Sequence, residues 1–204
     1  MGRKSKLRKK EYKNPKKAIY IFTEGEKTEP EYFEALKTHA NSKNKIIKIF
    51  PIGKQASELL KNARAKLKYD GTEENIDELW LISDKDDITD QAFKEFILKA
   101  ERLKFKVGYS IPCFELWLIL HFENYNKYSD QKAVQKHLSD LLKSKLGYQG
   151  NCKKIPRVFF KNHFLSEDQF LDEAVQRAKA FDSLNNPSTT MHEIIAAIMQ
   201  NEND

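Results

Sequence analysis

Cysteine is scarce in this 204-residue chain. The two present, Cys113 and Cys152, stand far apart with no C-x-x-C pair, which excludes a disulfide framework and a zinc knuckle. With 7 glycines, 6 prolines and 40% hydrophobic residues, the composition also excludes a collagen, a coiled coil and a wholly disordered chain. Long apolar runs are missing: Leu116 to Leu120 is bracketed by Glu115 and His121, far short of the roughly 18 residues of a bilayer span. No apolar stretch follows the basic N-terminus either, so no secretory signal is expected and the protein should be cytoplasmic. A Walker A loop is absent, because Gly53-Lys54 lacks the preceding glycine and the following Ser or Thr; ATP hydrolysis would have to come from a partner. The five histidines (His39, His121, His137, His163, His192) show no H-E-x-x-H spacing, and each reads as a satisfied core or surface residue. Ser110 and Cys113 lack a base at motif spacing, which argues against nucleophilic catalysis by either.

What the chain does carry is unevenly placed charge. The net +6 divides into +8 over residues 1–17, +6 over residues 141–166, where no acid occurs, and −8 over everything else. A basic tail, a basic insert and an acidic body suit a protein that touches polyanions while holding cations elsewhere. The tail has little apolar content and is expected to be flexible.

The hydrophobic pattern predicts β-α-β units. Residues 18–23 form a buried strand ended by Glu24-Gly25. Thr28 and Glu31 are spaced as a capping box for a helix whose apolar face is Tyr32, Phe33 and Leu36. A second strand follows over 45–52, then a helix capped by Ser57. A third strand, Leu79 to Ile82, is broken by Ser83-Asp84-Lys85-Asp86-Asp87, with Asp87 placed to cap the next helix. Residues 106–111 make a fourth strand, Pro112 opens an apolar helix over 113–122, and the rest reads as helical with no further strand. The expected fold is α/β: a parallel sheet flanked by helices, with a core over 18–122 and a helical extension over 123–204.

Ligands of open parallel sheets bind beyond the carboxyl ends of the strands, and here those turns are acidic. Glu24 follows the first strand, Asp84 and Asp86 the third, and Glu115 lies in the helix after the fourth. If the first and third strands are neighbours, the carboxylates crowd one crevice and need a counter-ion. A hard divalent cation, Mg²⁺ or Mn²⁺, meets that need and works with phosphate oxygens. Glu26, Glu29 and Glu31 have a simpler explanation in the dipole of the helix that follows.

Three motifs, Thr23-Glu24-Gly25-Glu26-Lys27-Thr28-Glu29-Pro30-Glu31-Tyr32-Phe33, Asp84-Lys85-Asp86-Asp87, and Ile111 to Phe122, together resemble the RloB family over nearly the whole chain. RloB proteins in turn resemble the Toprim domains of topoisomerases, primases and overcoming-lysogenization-defect nucleases. The resemblance implies a Toprim-like core in which Glu24, Asp84 and Asp86 bind Mg²⁺ and carry catalysis, with Glu115 as a supporting ligand. It also implies a role in prokaryotic antiphage defence, often beside an ATPase. Many Toprim proteins place a second acid three residues after the Glu-Gly pair; here Glu26 comes one residue after Gly25 and Glu29 four.

The expected activity is Mg²⁺-dependent cleavage of RNA or DNA. The alternatives are a non-catalytic module that binds nucleic acid or nucleotide and regulates an ATPase, and a nucleotidyltransferase of primase type. In the insert, Lys153, Lys154, Arg157 and Lys161 interleave with Tyr148, Phe159, Phe160 and Phe164. These residues form either a single-strand platform or a packing segment of the core.

Overall fold

The structure, a computed structural model, describes residues 16–40, 45–70, 76–85, 88–182 and 184–200; most of the basic tail, together with Asp86 and Asp87, lies outside the described residues. Four parallel strands, β1 (Lys17–Thr23), β2 (Lys45–Pro51), β3 (Glu78–Asp84) and β4 (Phe105–Ile111), are joined by a short antiparallel β5 (Ser188–Thr189), in the order β2-β1-β3-β4-β5. The helices are α1 (Thr28–His39), α2 (Ala56–Asp70), α3 (Asp90–Arg102), α4 (Glu115–Leu120), α5 (Gln131–Leu146), α6 (Arg157–His163), α7 (Asp168–Lys179) and α8 (Met191–Met199). No helix among the described residues is long and apolar enough to cross a membrane.

Both faces of the sheet are buried, which is why the strands read as unbroken apolar runs. Successive side chains alternate between faces. Ala18, Tyr20 and Phe22 pack with Leu59, Leu60, Phe93 and Phe96 of α2 and α3. Ile19 and Ile21 face the other way, into a core shared with Phe33, Leu36, Trp117, Leu138, Phe160 and Ile194. The helical C-terminal part therefore packs on the α1 side of the sheet and continues its core.

Local expectations fail where distant partners intervene. The Thr28–Glu31 capping box does not form. Lys27 is the N-cap, the Thr28 hydroxyl donates to the Cys152 carbonyl (3.2 Å), and Glu31 accepts from Arg157 (3.1 Å). Ser57 lies inside the first turn of α2, which starts at Ala56. Thr89 caps α3, its hydroxyl accepting from the Ala92 N–H. The helix expected over 113–122 is confined to Glu115–Leu120, because the chain turns through Pro112–Phe114 first and ends in tighter bonds at His121 and Phe122. The strand absent from the prediction, β5, is two residues long and shows no periodicity; Ser110 pairs with Thr189 and Ile111 with Ser188.

His121 is a satisfied core histidine. Its Nδ1 lies 3.0 Å from the Trp117 carbonyl and its Nε2 3.2 Å from the Tyr32 hydroxyl. A carbonyl only accepts, so Nδ1 carries the proton and Nε2 accepts from Tyr32. Burial lowers the His121 pKa from 6.5 to about 3 and pushes the Tyr32 phenol up. The unfolded chain therefore binds the extra proton between pH 6.5 and about 3, so stability is full above that window and falls as pH drops through it. Urea unfolding at pH 7 and pH 5 should show a loss approaching 1.4 kcal/mol per pH unit, and His121→Gln should flatten it. An equal slope in the variant would place the titrating group elsewhere.

Candidate functional site

The chain moves from β1 outward to β2, then returns past β1 to β3, so the strand order reverses between β1 and β3. The turns leaving two such neighbours diverge and open a crevice at their carboxyl ends. Register fixes what lines it. Thr23 pairs with Ile82, the Glu24 N–H donates to the Ile82 carbonyl (2.9 Å), and Asp84 ends β3 opposite Ser110 of β4. Glu24 and Asp84 thus leave adjacent strands on the same rim of the sheet.

Glu24 is oriented by a residue that the sequence reading passed over. The Ser83 hydroxyl, 1% exposed, donates to Glu24 Oε2 at 2.7 Å. Its only signal in the sequence was a hydroxyl beside Asp84 at a strand end. The loop after Glu24 is set by its other acids. Glu29 is buried in the first turn of α1, and its carboxylate folds back to accept from the Gly25 N–H (2.8 Å). A β-carbon at Gly25 would meet that carboxyl carbon at 3.0 Å. Glu26 lies against Gly53, which has φ +69°, and a β-carbon there would collide with the Glu26 carboxylate. Both glycines are therefore places of close approach, and Gly53 also needs its left-handed backbone.

These groups surround a cavity of about 430 Å³. Glu24, Asp84 and Glu115 line it together with Glu26 and Glu29, while Lys27, Lys54, Lys153 and Lys154 stand around it, and Gln55, Gln131 and Gln135 complete the polar lining. None of the four lysines is ion-paired among the described residues. Two of the lysines come from the basic insert. A 3₁₀ turn (Cys152–Lys154) carries them, its Lys153 N–H donating to the Asn151 side chain and its Cys152 carbonyl tied to Thr28 at the start of α1.

The rest of the insert is placed differently. Arg157 opens α6 and pairs with Glu31 (3.1 Å) and Glu34 (3.9 Å) of α1, and Lys161 is exposed on α6. Phe160 and Phe164 are fully buried in the core. Phe159 is half-buried, with its ring 4.4 Å from Tyr148 and 4.3 Å from His163.

The donors facing the cavity are oxygens, which suits a hard divalent cation better than a thiophilic one. Among the described residues no three His, Cys, Asp or Glu side chains cluster tightly enough to enclose a metal unaided. Mg²⁺ asks for less, since one or two carboxylates, retained waters and a substrate phosphate complete its shell. Glu24, Asp84 and Glu115 fit that requirement. Negative potential at this point registers on Cys113, whose thiol is pushed well up, first by burial and then by the charges of Glu115 and Asp84. Cys113 is a protonated core residue, not a nucleophile.

A doubly covered α/β sheet with carboxylates and lysines converging at its switch point defines a class of protein whose candidate site lies beyond the strand ends. Within that class the chain belongs to the RloB-like protein family, whose family model matches residues 19–198. No curated protein and no solved structure matches it.

Proposed function

We propose that this protein is a Mg²⁺-dependent nuclease of Toprim type that cleaves phosphodiester bonds in RNA or DNA. The observation that carries the reading is the joining of an acidic set, Glu24, Asp84 and Glu115, with lysines that make no ion pair among the described residues, around one cavity at the β1–β3 switch point. Asp86, next after Lys85, belongs to the proposed ligand set by its spacing in the sequence. The cation would be held by Glu24, Asp84, Asp86 and Glu115, and when bound it supplies charge neutralisation of the phosphate and an activated water. Lys153 and Lys154, with Lys27 and Lys54, bind flanking phosphates as point charges. Glu24, held by Ser83, takes up the proton of the water whose oxygen bonds to phosphorus, while the sugar oxygen whose bond to phosphorus breaks takes a proton from solvent. Antiphage defence beside an ATPase is the setting proposed, and the lack of a Walker A loop here leaves ATP hydrolysis to that partner.

Incubating the purified protein with labelled tRNA, single-stranded DNA and duplex DNA, in Mg²⁺, Mn²⁺ or EDTA, tests the reading. Metal-dependent products are expected. Their absence from every substrate would favour a binding module, and nucleotide addition to a primed template would favour a transferase.

Ser83→Ala offers a finer check. Loss of a buried hydrogen bond to a charged group should cost about 1.5–3 kcal/mol of interaction, seen as slower turnover and a higher Mg²⁺ requirement, with Ser83→Thr restoring part of both. Unchanged Mg²⁺ dependence in Ser83→Ala would mean that Glu24 needs no such support.

A further inference from the structure

We infer that Gln131 and Gln135 read the base of an unpaired nucleotide in this cavity, which makes the substrate a single strand or loop and the cut base-selective. The inference rests on the nuclease reading and sharpens it. The two residues are four apart on α5, so their side chains share one face of the helix, and both line the cavity. Asp130 fixes the start of that helix by accepting from the Ala133 N–H (2.7 Å), which sets Gln131 in the first turn.

Their amides are uncommitted. Gln91 and Gln169 each donate to the glutamate one turn on, at 2.6 and 2.8 Å. The side chains of Gln131 and Gln135 make no hydrogen bond among the described residues, and only the Gln135 backbone carbonyl is used, by Ser139 and Cys152. An amide offers a donor and an acceptor side by side, the pattern that matches a base edge and in particular adenine. Phosphates are served by the lysines and the cation by the acids, so the glutamines are the neutral groups left to face a base. Phe114 also lines the cavity but is only 3% exposed, so stacking is not what holds the base.

The edge that is read decides between paired and unpaired substrates. A cavity of about 430 Å³ sits at the small end of the roughly 300–1,000 Å³ range of ligand sites. It has room for one nucleotide, and amides that meet the pairing edge of a base need that edge free of its partner, so a duplex would have to surrender its pairing first.

The test uses the full-length protein, Mg²⁺, and single-stranded RNA and DNA libraries carrying a randomised tract, with the product ends sequenced. One position beside the cut should show a base preference of roughly tenfold or more, as a good bidentate amide contact supplies. The double variant Gln131→Ala with Gln135→Ala should flatten it, total cleavage falling toward the rate of the least favoured base. The same sequences annealed to complements should be cut roughly tenfold more slowly or worse, because the pair must open. Products without base bias, an unchanged bias in the variant, or equal cutting of duplex would overturn this inference and leave the nuclease standing. No product from any library would remove both.

Discussion

Asp84→Asn and Glu24→Gln should each lower cleavage by about 10²–10⁴-fold, the scale of a lost catalytic proton acceptor or its equivalent, while the protein melts no earlier than before. The reason is the crowding at the β1–β3 switch point, where Glu24, Asp84 and Glu115 share one cavity. Removing one negative charge relieves repulsion in the metal-free protein and weakens the cation site in the same step. Single-turnover cleavage at saturating and limiting Mg²⁺, with thermal melting in EDTA, separates the two effects. Full activity in both variants, or in EDTA, would end the metal-nuclease reading.

Phe160→Ala should cost about 3–5 kcal/mol of folding stability, as for other fully buried phenylalanines. Its ring is 0% exposed and sits 5.4 Å from Tyr32 and 5.1 Å from Phe164, at the joint between α1 and α6. Phe159, half-buried against Tyr148 and His163, should cost much less. Urea unfolding with an unchanged m-value is the measurement. A Phe160→Ala protein of normal stability that had lost nucleic-acid binding would return this ring to the role of a stacking platform.

The fold was legible where the cause is local. Strands buried on both faces announce themselves as apolar runs, and the acids after β1 and β3 stand out together because turn preference, which favours Asp and Asn, does not explain Glu24. The adjacency of those two strands could only be supposed, yet it brings Glu24 and Asp84 to one rim. What escaped depends on contacts between distant parts of the chain. Thr28 has the spacing of a cap but gives its hydroxyl to Cys152, 124 residues away. Gln131 and Gln135 look like ordinary surface positions of a helix until α5 is packed beside the strand ends. The insert, which the sequence left as either a platform or a packing segment, divides between the two because Lys153 and Lys154 ride a 3₁₀ turn while Phe160 and Phe164 have helical spacing into the core.

The Thr28–Cys152 tie also bears on the order in which this molecule is made. A chain leaves the ribosome N-terminus first, so the carboxylates at 24 and 84 emerge long before the amides at 131 and 135 or the ammonium groups at 153 and 154. The sheet is not sealed until Thr189 reaches Ser110, 79 residues back, and the Lys45 ammonium holds the end of α8 across 152 residues. Closures of such span are slow compared with local helix formation. The walls of the cavity are therefore completed only when its later elements arrive. A product terminated before residue 152 keeps Glu24, Asp84, Lys27 and Lys54 but lacks the turn that carries Lys153 and Lys154 and ties them to the start of α1.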